Sequence, residues 1–202
     1  MRIGVLLERK AGERRVAGSP DSVANLVADG HDVVVESGAG TAAGMSDSRY
    51  QEAGAKLAPD RQTAFGVEGL VLGVNGPTDP GLAGITENHV LIGLFEPVWQ
   101  PEPIAELAET GATVFALDLG PRSTRAQAMD VLSSQATVVG YQAILMAANR
   151  LPKLMPMLTT AAGTVPPARV VVLGTGVAGL QAIATAKRLG AKVKAFDTRP
   201  VV

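Results

Sequence analysis

The sequence predicts an α/β fold in which a parallel β-sheet is covered by helices. Short apolar segments rich in β-branched residues alternate with segments that repeat apolar residues at helical spacing. Most strand segments are continuously apolar, which is typical of strands buried on both faces of a parallel sheet. The 23 glycines and 13 prolines provide turns between many short elements. This alternation of strands and helices indicates right-handed crossover connections.

Seven segments are predicted to be strands: Arg2–Leu7, Asp32–Val35, Leu70–Val74, Val90–Leu94, Ala112–Leu117, Arg169–Leu173 and Lys192–Phe196. The first is too short to be the apolar region of a signal peptide. A helix follows it, since Ser19 is a suitable N-cap, Pro20 suits the first helical position and Gly30 ends the helical pattern.

Two further helices are predicted in the middle of the chain. One runs from about residue 103 to 110, turns Ile104, Leu107 and Ala108 inward and stops at Gly111. A longer helical stretch runs from about residue 125 to 150. Its charge-free part, residues 131–149, holds Ser, Gln and Asn side chains, so we predict a buried helix and no membrane span. We place the domain boundary near residue 138, which gives domains 1–138 and 139–202.

The composition excludes several classes of function. A formal net charge of −1, from 18 Lys and Arg against 19 Asp and Glu, excludes a broad electrostatic nucleic-acid binder. The chain has no Cys, so a disulfide or a Cys-ligated metal site is impossible, and we predict no metal site. Hydrophobic residues make up 47% of the chain and aromatic residues 3%, which predicts a folded chain with an aliphatic core.

The clearest chemical motif is the glycine-rich loop Gly174–Gly179, which reads Gly-Thr-Gly-Val-Ala-Gly. An apolar strand precedes it, and a helix follows that has Val177, Leu180 and Ile183 on one face. Asp197 ends the next strand about 20 residues beyond the glycines, which is the spacing of the dinucleotide-binding fingerprint in a Rossmann βαβ unit. The alternative is a glycine turn that only packs a helix against a sheet.

Each position of the motif has a physical reason. Gly174 permits the tight turn, Gly176 lets a pyrophosphate approach the backbone and Gly179 lets the helix and strand pack closely. The free N–H groups at the helix start attract phosphate charge. Asp197 is expected to accept hydrogen bonds from both ribose hydroxyls and to repel a 2′-phosphate. This favours NAD over NADP, although Arg199 nearby weakens the preference.

A second polar constellation lies in residues 121–135, after a predicted strand and at the start of the long helix. Arg122, Gln127, Asp130 and Ser133 are predicted to cluster where parallel strands end, which is the usual place for ligands. The residues alone support two interpretations equally well: a ligand site, and a solvated helix start with ordinary capping.

Three stretches make the chain recognisable: Arg14–Ala17 with Pro20, Pro121–Ala143, and Thr160–Ala168 leading into the glycine loop and Phe196–Pro200. On these residues the chain resembles the NAD(H)-binding domain of the alpha subunit of proton-translocating NAD(P) transhydrogenase. The resemblance implies an N-terminal parallel-sheet α/β domain followed by the first βαβ part of a Rossmann NAD-binding domain. Related full-length domains are nearly twice as long.

The resemblance also implies site residues and partners. The residues that surround the nicotinamide and its ribose would be Arg122, Gln127, Asp130 and Ser133. The cofactor contacts would be Gly174, Gly176, Val177, Ala178, Gly179, Asp197, Thr198, Arg199 and Tyr141. NAD(H) would bind here and NADP(H) on a partner domain, with hydride transfer coupled to proton translocation through a membrane domain. The implied assembly is a homodimer that docks an NADP-binding beta subunit, in the cytoplasm and peripheral to the inner membrane.

The same architecture also resembles alanine dehydrogenase, which needs a positioned Lys or His for proton transfer. The positions that match that family's lysine and histidine are Asn75 and Glu96, so both groups are absent, although Arg15 matches its substrate-carboxylate arginine. The two histidines, His31 and His89, lie at strand starts and are predicted to be structural.

Two features depart from an intact transhydrogenase subunit. Gly73 stands where transhydrogenases tend to have a lysine, which alters the local charge. A chain with only part of the cofactor lobe is expected to bind NADH weakly or undetectably and to expose the apolar flanks of Val170–Leu173 and Val193–Phe196. The competing interpretation is a truncated, non-catalytic dimerising fragment of that subunit.

Overall fold

Strands and helices alternate along the chain, and the predicted α/β class is confirmed. The computed structural model describes residues 1–76, 84–121 and 123–199. The chain divides into two units, Met1–Pro121 and Arg122–Val202. The domain boundary near residue 138 stays a prediction.

The first unit contains a six-stranded sheet in which every neighbouring pair is parallel. Its strands are β1 (Arg2–Val5), β2 (Asp32–Glu36), β3 (Lys56–Ala58), β4 (Gly69–Asn75), β5 (His89–Leu94) and β6 (Thr113–Ala116). The spatial order is β3-β2-β1-β4-β5-β6, which is the Rossmann order. The order reverses between β1 and β4, and ligands bind at such a reversal in open α/β sheets.

Four α-helices are described in the first unit: α1 (Pro20–Ala28), α2 (Asp47–Glu52), α3 (Arg61–Phe65) and α4 (Pro101–Glu109). Thr41–Ala43 and Leu117–Leu119 form short 3₁₀ helices. The predicted cap of α1 is confirmed, because the Ser19 side chain accepts a hydrogen bond from the Ser22 N–H at 3.2 Å. The predicted inner face of α4 is partly wrong. Leu107 is buried, but Ala108 is exposed, since only one side of this helix lies on the sheet.

Apolar residues pack on both faces of this sheet. Consecutive residues of β2 alternate between two clusters: Val33 and Val35 pack with Tyr50, whereas Val34 packs with Phe65. Successive side chains of a strand point to opposite faces, so a strand covered on both sides must be continuously apolar. The burial predicted for these strands is therefore confirmed for β1 and β2, and every residue of β4 and β5 is buried or half-buried. It is wrong for the edge strand β6, where Phe115 is 55% exposed.

The second unit begins with a 3₁₀ helix, Thr124–Met129, and continues with α5 (Val131–Arg150). A hairpin follows, formed by β7 (Leu158–Thr160) and β8 (Gly163–Val165), and then β9 (Arg169–Leu173), α6 (Val177–Arg188) and β10 (Lys192–Phe196). β9 and β10 pair in parallel, as the motif predicts. The single helix predicted from about residue 125 is wrong, because the backbone at Asp130 is not helical and α5 starts after it.

The exposure of α5 also differs from the prediction. Among its residues only Gly140 and Ile144 are buried, so the prediction of a buried helix is wrong for this structure. By length and composition this one helix would suffice to cross a membrane, with a mean hydropathy of 1.3. Gly140 lies against α6, since a Cβ at this position would come within 2.1 Å of the Ala178 carbonyl oxygen. The contact between α5 and α6 therefore requires glycine here.

The inner face of α6 is formed by small residues. Ala182, Thr185 and Ala186 are buried, whereas Val177 and Leu180 are exposed. The apolar face identified from the sequence is therefore exposed at these two positions. Small side chains permit the close approach of α6 to β9 and α5, and the larger apolar residues lie on the opposite side.

The strands β9 and β10 are covered on one face only. Val170 and Val172 pack in the cluster beneath α5 and α6, but Val171, Leu173 and Phe196 are exposed. Burial on both faces, as predicted for parallel strands, is therefore wrong for this pair. The exposed apolar flanks expected from the sequence are confirmed.

Candidate functional site

The three glycines of the loop Gly174–Gly179 have three different environments. Gly174 has a φ of +92°, a left-handed conformation that favours glycine. A Cβ at Gly179 would lie 1.9 Å from the Gly174 carbonyl oxygen, so a larger residue cannot pack there. A Cβ at Gly176 would meet no described atom within 4 Å, so this side of the loop is open to a ligand. These environments agree with the physical reasons predicted for each glycine.

The first turn of α6 follows this open position. Gly176 is its N-cap and provides no side-chain acceptor for the first backbone N–H groups. The N–H groups of Val177 and Ala178 therefore lie at a helix start that suits an anion. The hydrogen bond from the Gly174 N–H to the Phe196 carbonyl, 2.8 Å long, ties the loop to the end of β10.

Asp197 connects the glycine loop to the segment after β10. Its Oδ2 accepts hydrogen bonds from the Thr175 N–H at 2.7 Å and from the Thr175 hydroxyl at 2.8 Å. Its Oδ1 accepts from the Arg199 N–H and from Nε of the Arg199 side chain, both at 2.9 Å. The Arg199 guanidinium and the Thr175 donors hold the pKa of the Asp197 carboxyl well below its usual range.

Thr175 was missed as a site residue by sequence reasoning. It lies between the first two glycines, and both its donors contact Asp197, which is 22 residues away. The available signal was a hydroxyl residue at the variable position of the motif, where it can contact the acidic residue at the end of the next strand.

The structure describes three of the four residues predicted around the start of α5: Gln127, Asp130 and Ser133. Arg122 lies outside the described residues. Gln127 is exposed on the 3₁₀ helix, and Asp130 accepts a 2.9 Å hydrogen bond from the Ser133 N–H, so it caps α5. The capping interpretation thus holds for Asp130, and the catalytic roles of this segment stay predictions.

The remaining predicted cofactor contacts lie near α6 or the end of β10. Tyr141 is exposed and follows Gly140, which contacts the first turn of α6. Thr198 is exposed between Asp197 and Arg199. Their contact with a cofactor stays a prediction.

A pocket in the first unit lies at the carboxyl ends of β1, β4 and β5. Its volume is about 320 Å³, and its polar lining is Glu8, Arg9, Lys10, Arg61, Asn75, Glu96 and Gln100. These positions flank the reversal of strand order, where an α/β sheet commonly binds ligands. Among residues 1–76, 84–121 and 123–199, no group of three acidic or His side chains could hold a metal ion.

Asn75 is held in this pocket by two carboxylates. Its side-chain Nδ2 donates to Glu8 at 2.9 Å and to Glu13 at 3.2 Å. Glu8 also accepts the Val74 N–H at 2.6 Å. Arg15 binds Glu13 at 2.6 Å and 2.8 Å, and this pair lowers the pKa of Glu13 to about 2. Arg15 is therefore engaged by a neighbouring side chain.

Glu96 has an unusual backbone conformation, with a φ of +49°. Asp118 supports this turn by accepting hydrogen bonds from the Phe95 and Glu96 N–H groups at 3.0 Å and 2.9 Å. Gln100 donates to the Glu96 carboxylate at 2.7 Å. A non-glycine residue with positive φ is costly and persists where its surroundings hold it in place.

A buried ion pair lies beside the same pocket. Glu36 accepts the Leu7 N–H at 2.9 Å and the Nε of Arg61 at 3.4 Å, and both charged side chains are buried. Arg61 also donates to the Leu7 carbonyl. The sequence signal for this cluster was a charged residue, Glu36, at the end of a buried strand. Sequence reasoning did not use it.

His89 is buried at the start of β5, where its Nδ1 accepts the Thr86 N–H at 3.1 Å. This contact agrees with the structural role predicted for this histidine.

Two family profiles cover nearly all of the chain. Residues 4–139 match the N-terminal domain of alanine dehydrogenase/PNT, and residues 143–202 match the C-terminal domain. The chain belongs to the alanine dehydrogenase/PNT family. The family resemblance inferred from the sequence is thereby confirmed.

Transhydrogenases and alanine dehydrogenases both resemble this member of the alanine dehydrogenase/PNT family. The NAD(P) transhydrogenase subunit alpha of Cereibacter sphaeroides is 45% identical over 100% of this chain and 39% of its own length. The transhydrogenase structure from Sinorhizobium meliloti has a TM-score of 0.93 and 46% identity, over 100% of this chain and 60% of that one. An L-alanine dehydrogenase structure has a TM-score of 0.87 and 31% identity, over 98% and 55%. This chain thus spans less than two thirds of each relative.

Proposed function

We propose that this chain is the NAD(H)-binding part of a proton-translocating NAD(P) transhydrogenase. The observation that carries the proposal is the arrangement of the glycine loop: Gly176 is open, Gly179 is packed against Gly174, and Asp197 contacts Thr175. The 45% identity to a transhydrogenase alpha subunit supports the same proposal.

The residues present fit the adenosine half of a dinucleotide. A pyrophosphate would lie over Gly176, where a Cβ would find no neighbour, and would accept hydrogen bonds from the first turn of α6. The adenosine ribose would bind Asp197 at the end of β10. Thr175 would hold Asp197 in position, because its N–H and hydroxyl both donate to the carboxylate.

The reaction proposed is hydride transfer from NADH on this chain to NADP⁺ on a partner domain. The bound dinucleotide would supply the hydride, so the chain needs no general acid or base of its own. Its task is to orient the nicotinamide and exclude water. We assign this task to five residues. Arg122, Gln127 and Asp130 precede α5, and Ser133 and Tyr141 lie on it.

The proposed assembly is the one that the resemblance to transhydrogenase implies. The chain would form a homodimer, dock an NADP-binding beta subunit and rest on the cytoplasmic side of the inner membrane. Proton translocation would occur in a membrane domain of the complex. These partners are part of the proposal.

Alanine oxidation is disfavoured by the contents of the pocket in the first unit. Asn75 stands where that enzyme has its lysine, and its amide is held by Glu8 and Glu13. Glu96 stands at the histidine position and accepts a hydrogen bond from Gln100. An amide cannot exchange a proton at neutral pH as a lysine does. We therefore expect no oxidation of alanine with NAD.

The first experiment is a titration of the ¹⁵N-labelled chain with NADH, followed by amide chemical shifts. We expect shifts at residues 174–180 with an affinity weaker than micromolar. Gly176→Val should abolish these shifts and keep the fold, since a side chain there meets no described atom. Ala147→Val, an exposed position on α5, adds comparable bulk elsewhere and should keep them.

Two outcomes would contradict the proposal. One is the absence of any shift in the glycine loop at the solubility limit of NADH. The other is a set of shifts confined to the pocket of the first unit. A matching activity assay mixes the chain with an NADP-binding partner subunit and follows reduction of an NADP⁺ analogue by NADH.

A further inference from the structure

We propose that Arg199 sets the nucleotide selectivity of this lobe by occupying Asp197 until a ribose displaces it, after which its guanidinium can receive a 2′-phosphate. This inference rests on the proposed function of the glycine loop. It concerns Arg199, which contacts the carboxylate of Asp197, the group expected to accept hydrogen bonds from the ribose hydroxyls.

The carboxylate of Asp197 is saturated in this structure. Oδ2 accepts three hydrogen bonds, two from Thr175 and one from the Arg199 guanidinium at 3.0 Å. Oδ1 accepts two, from the N–H and Nε of Arg199. Two carboxylate oxygens provide about four lone-pair sites, so five donors leave none for a ribose diol. A ribose must therefore replace some of these donors.

The Arg199 side chain is the donor that can leave. The backbone N–H groups of Thr175 and Arg199 are fixed by the chain, and the Thr175 hydroxyl belongs to the loop. In contrast, the Arg199 side chain is 57% exposed, whereas that of Asp197 is only 9% exposed. Rotation of an exposed guanidinium into water costs little, because exposed ion pairs contribute weakly to stability.

Displacement leaves a positive charge next to the ribose site. With Arg199 paired, Asp197 presents no free acceptor, so the arginine competes with any ribose that carries a free diol. A 2′-phosphate would be repelled by Asp197 alone, but the planar guanidinium binds phosphate oxygens in a bidentate manner. Arg199 should thus weaken the binding of unphosphorylated ligands and strengthen that of 2′-phosphorylated ones.

The test compares ADP-ribose with 2′-phospho-ADP-ribose, titrated into the full 202-residue chain and followed by amide shifts of residues 174–180. Arg199→Gln should bind ADP-ribose about threefold more tightly, because a weak competing ion pair is removed. It should bind the 2′-phosphorylated ligand about tenfold more weakly, because a charge-assisted contact is lost. Lys194→Gln removes a positive charge from an exposed position on β10 and should leave the ratio of the two affinities unchanged.

A ligand-free readout tests the ion pair itself. In Arg199→Gln the carboxyl ¹³C signal of Asp197 should titrate at a higher pH than in the parent chain, because the guanidinium lowers the pKa of Asp197. An unchanged titration would overturn the inference, whatever the ligands do.

The ligand titrations separate this inference from the proposed function. Equal changes for both ligands in Arg199→Gln, or weaker binding of ADP-ribose, would overturn the role of Arg199 while leaving the glycine loop as the binding site. Absence of binding in the parent chain and in every variant would overturn both. Binding by Arg199→Gln when the parent chain binds no ADP-ribose would support both.

Discussion

At the scale of single residues, carboxylates near strand ends hold the loops at the carboxyl edge of each sheet. In the first unit, Glu8 accepts hydrogen bonds from the last two backbone N–H groups of β4, and Asp118 accepts them from the two that follow β5. In the second unit, Asp197 does the same for Thr175 and Arg199. A charged acceptor makes stronger hydrogen bonds than a neutral one, so each carboxylate orders the loop that carries candidate site residues.

The glycines of the loop should respond differently to the same substitution. Gly179→Ala places a Cβ 1.9 Å from a backbone oxygen, so the helix start must shift, at a cost of about 1–3 kcal/mol. A Cβ in Gly176→Ala meets no described atom within 4 Å, but Ala is a poorer N-cap of α6 than Gly, so this variant should lose at most about 1 kcal/mol. Urea unfolding of both variants measures the difference. Equal stabilities would refute the packing role assigned to Gly179.

Glu13 should make stability depend on pH in an acidic window. Its pKa falls from the ordinary 4.5 to about 2, mainly through hydrogen bonds from Arg15. The folded state therefore favours the ionised carboxylate, so this stabilisation is present above about pH 4.5 and is lost as the pH falls towards 2. Urea midpoints between pH 5 and 2.5 should fall less steeply for Glu13→Gln than for the parent chain.

Glu52→Gln, at an exposed position on α2, is the matched control for the loss of one carboxylate. Superimposable pH profiles for Glu13→Gln and the parent chain would contradict the ion pair between Glu13 and Arg15.

At the scale of elements, the start of α5 combines a cap with a predicted catalytic segment. Asp130 is the N-cap and receives the Ser133 N–H, and the preceding 3₁₀ helix carries Gln127. Ten residues further along, Gly140 brings α5 against the first turn of α6. One helix thus connects the polar segment to the glycine loop within the same unit.

Two substitutions of Asp130 should separate capping from catalysis. Asp130→Ala removes the cap and should lower the free energy of unfolding by about 1 kcal/mol. Asp130→Asn keeps a capping oxygen and should nearly preserve stability. If Asp130 also orients the nicotinamide, both variants should lose hydride transfer in the assay with an NADP-binding partner. Full activity in Asp130→Asn would restrict this residue to capping.

At the scale of the whole molecule, the two units cover their sheets to different extents. The six-stranded sheet of the first unit carries a buried apolar cluster on each face, and its main exception is Phe115 on the edge strand β6. In the second unit, Val171, Leu173 and Phe196 are 66%, 78% and 63% exposed. Contiguous exposed apolar surface favours association. The 202-residue chain should therefore self-associate through this face.

A pair of adjacent substitutions tests that expectation. Val171→Thr changes the exposed face of β9 and should reduce self-association in sedimentation velocity with little change in stability. Val172→Thr, on the packed face of the same strand, should lower the melting temperature, because it buries a hydroxyl among apolar side chains. Unchanged sedimentation of Val171→Thr would show that this face does not drive association.

Sequence reasoning succeeded where local signals are strong. β9 and β10 have the predicted bounds residue for residue. The β-branched run of β9 is bounded by Ala168 and Gly174, and β10 lies between the helix-ending Gly190 and the acidic residue Asp197. It missed β3, α2 and α3, which have three, six and five residues and are too short to show a period. It placed Leu180 in an apolar stripe that is exposed in the structure, because periodicity identifies such a stripe without deciding what covers it.

The alternation of strands and helices and the glycine loop can be predicted from the sequence, because propensity and the φ requirement of Gly174 are local properties. Which polar groups meet depends on the folded arrangement of the chain. Glu8 binds Asn75 across 67 residues, and Thr175 binds Asp197 across 22. These contacts depend on which strands are neighbours, and strand order arises from the packing of the whole sheet. The saturation of Asp197 by Arg199 likewise depends on side-chain geometry at the end of β10, which the spacing of the motif does not contain.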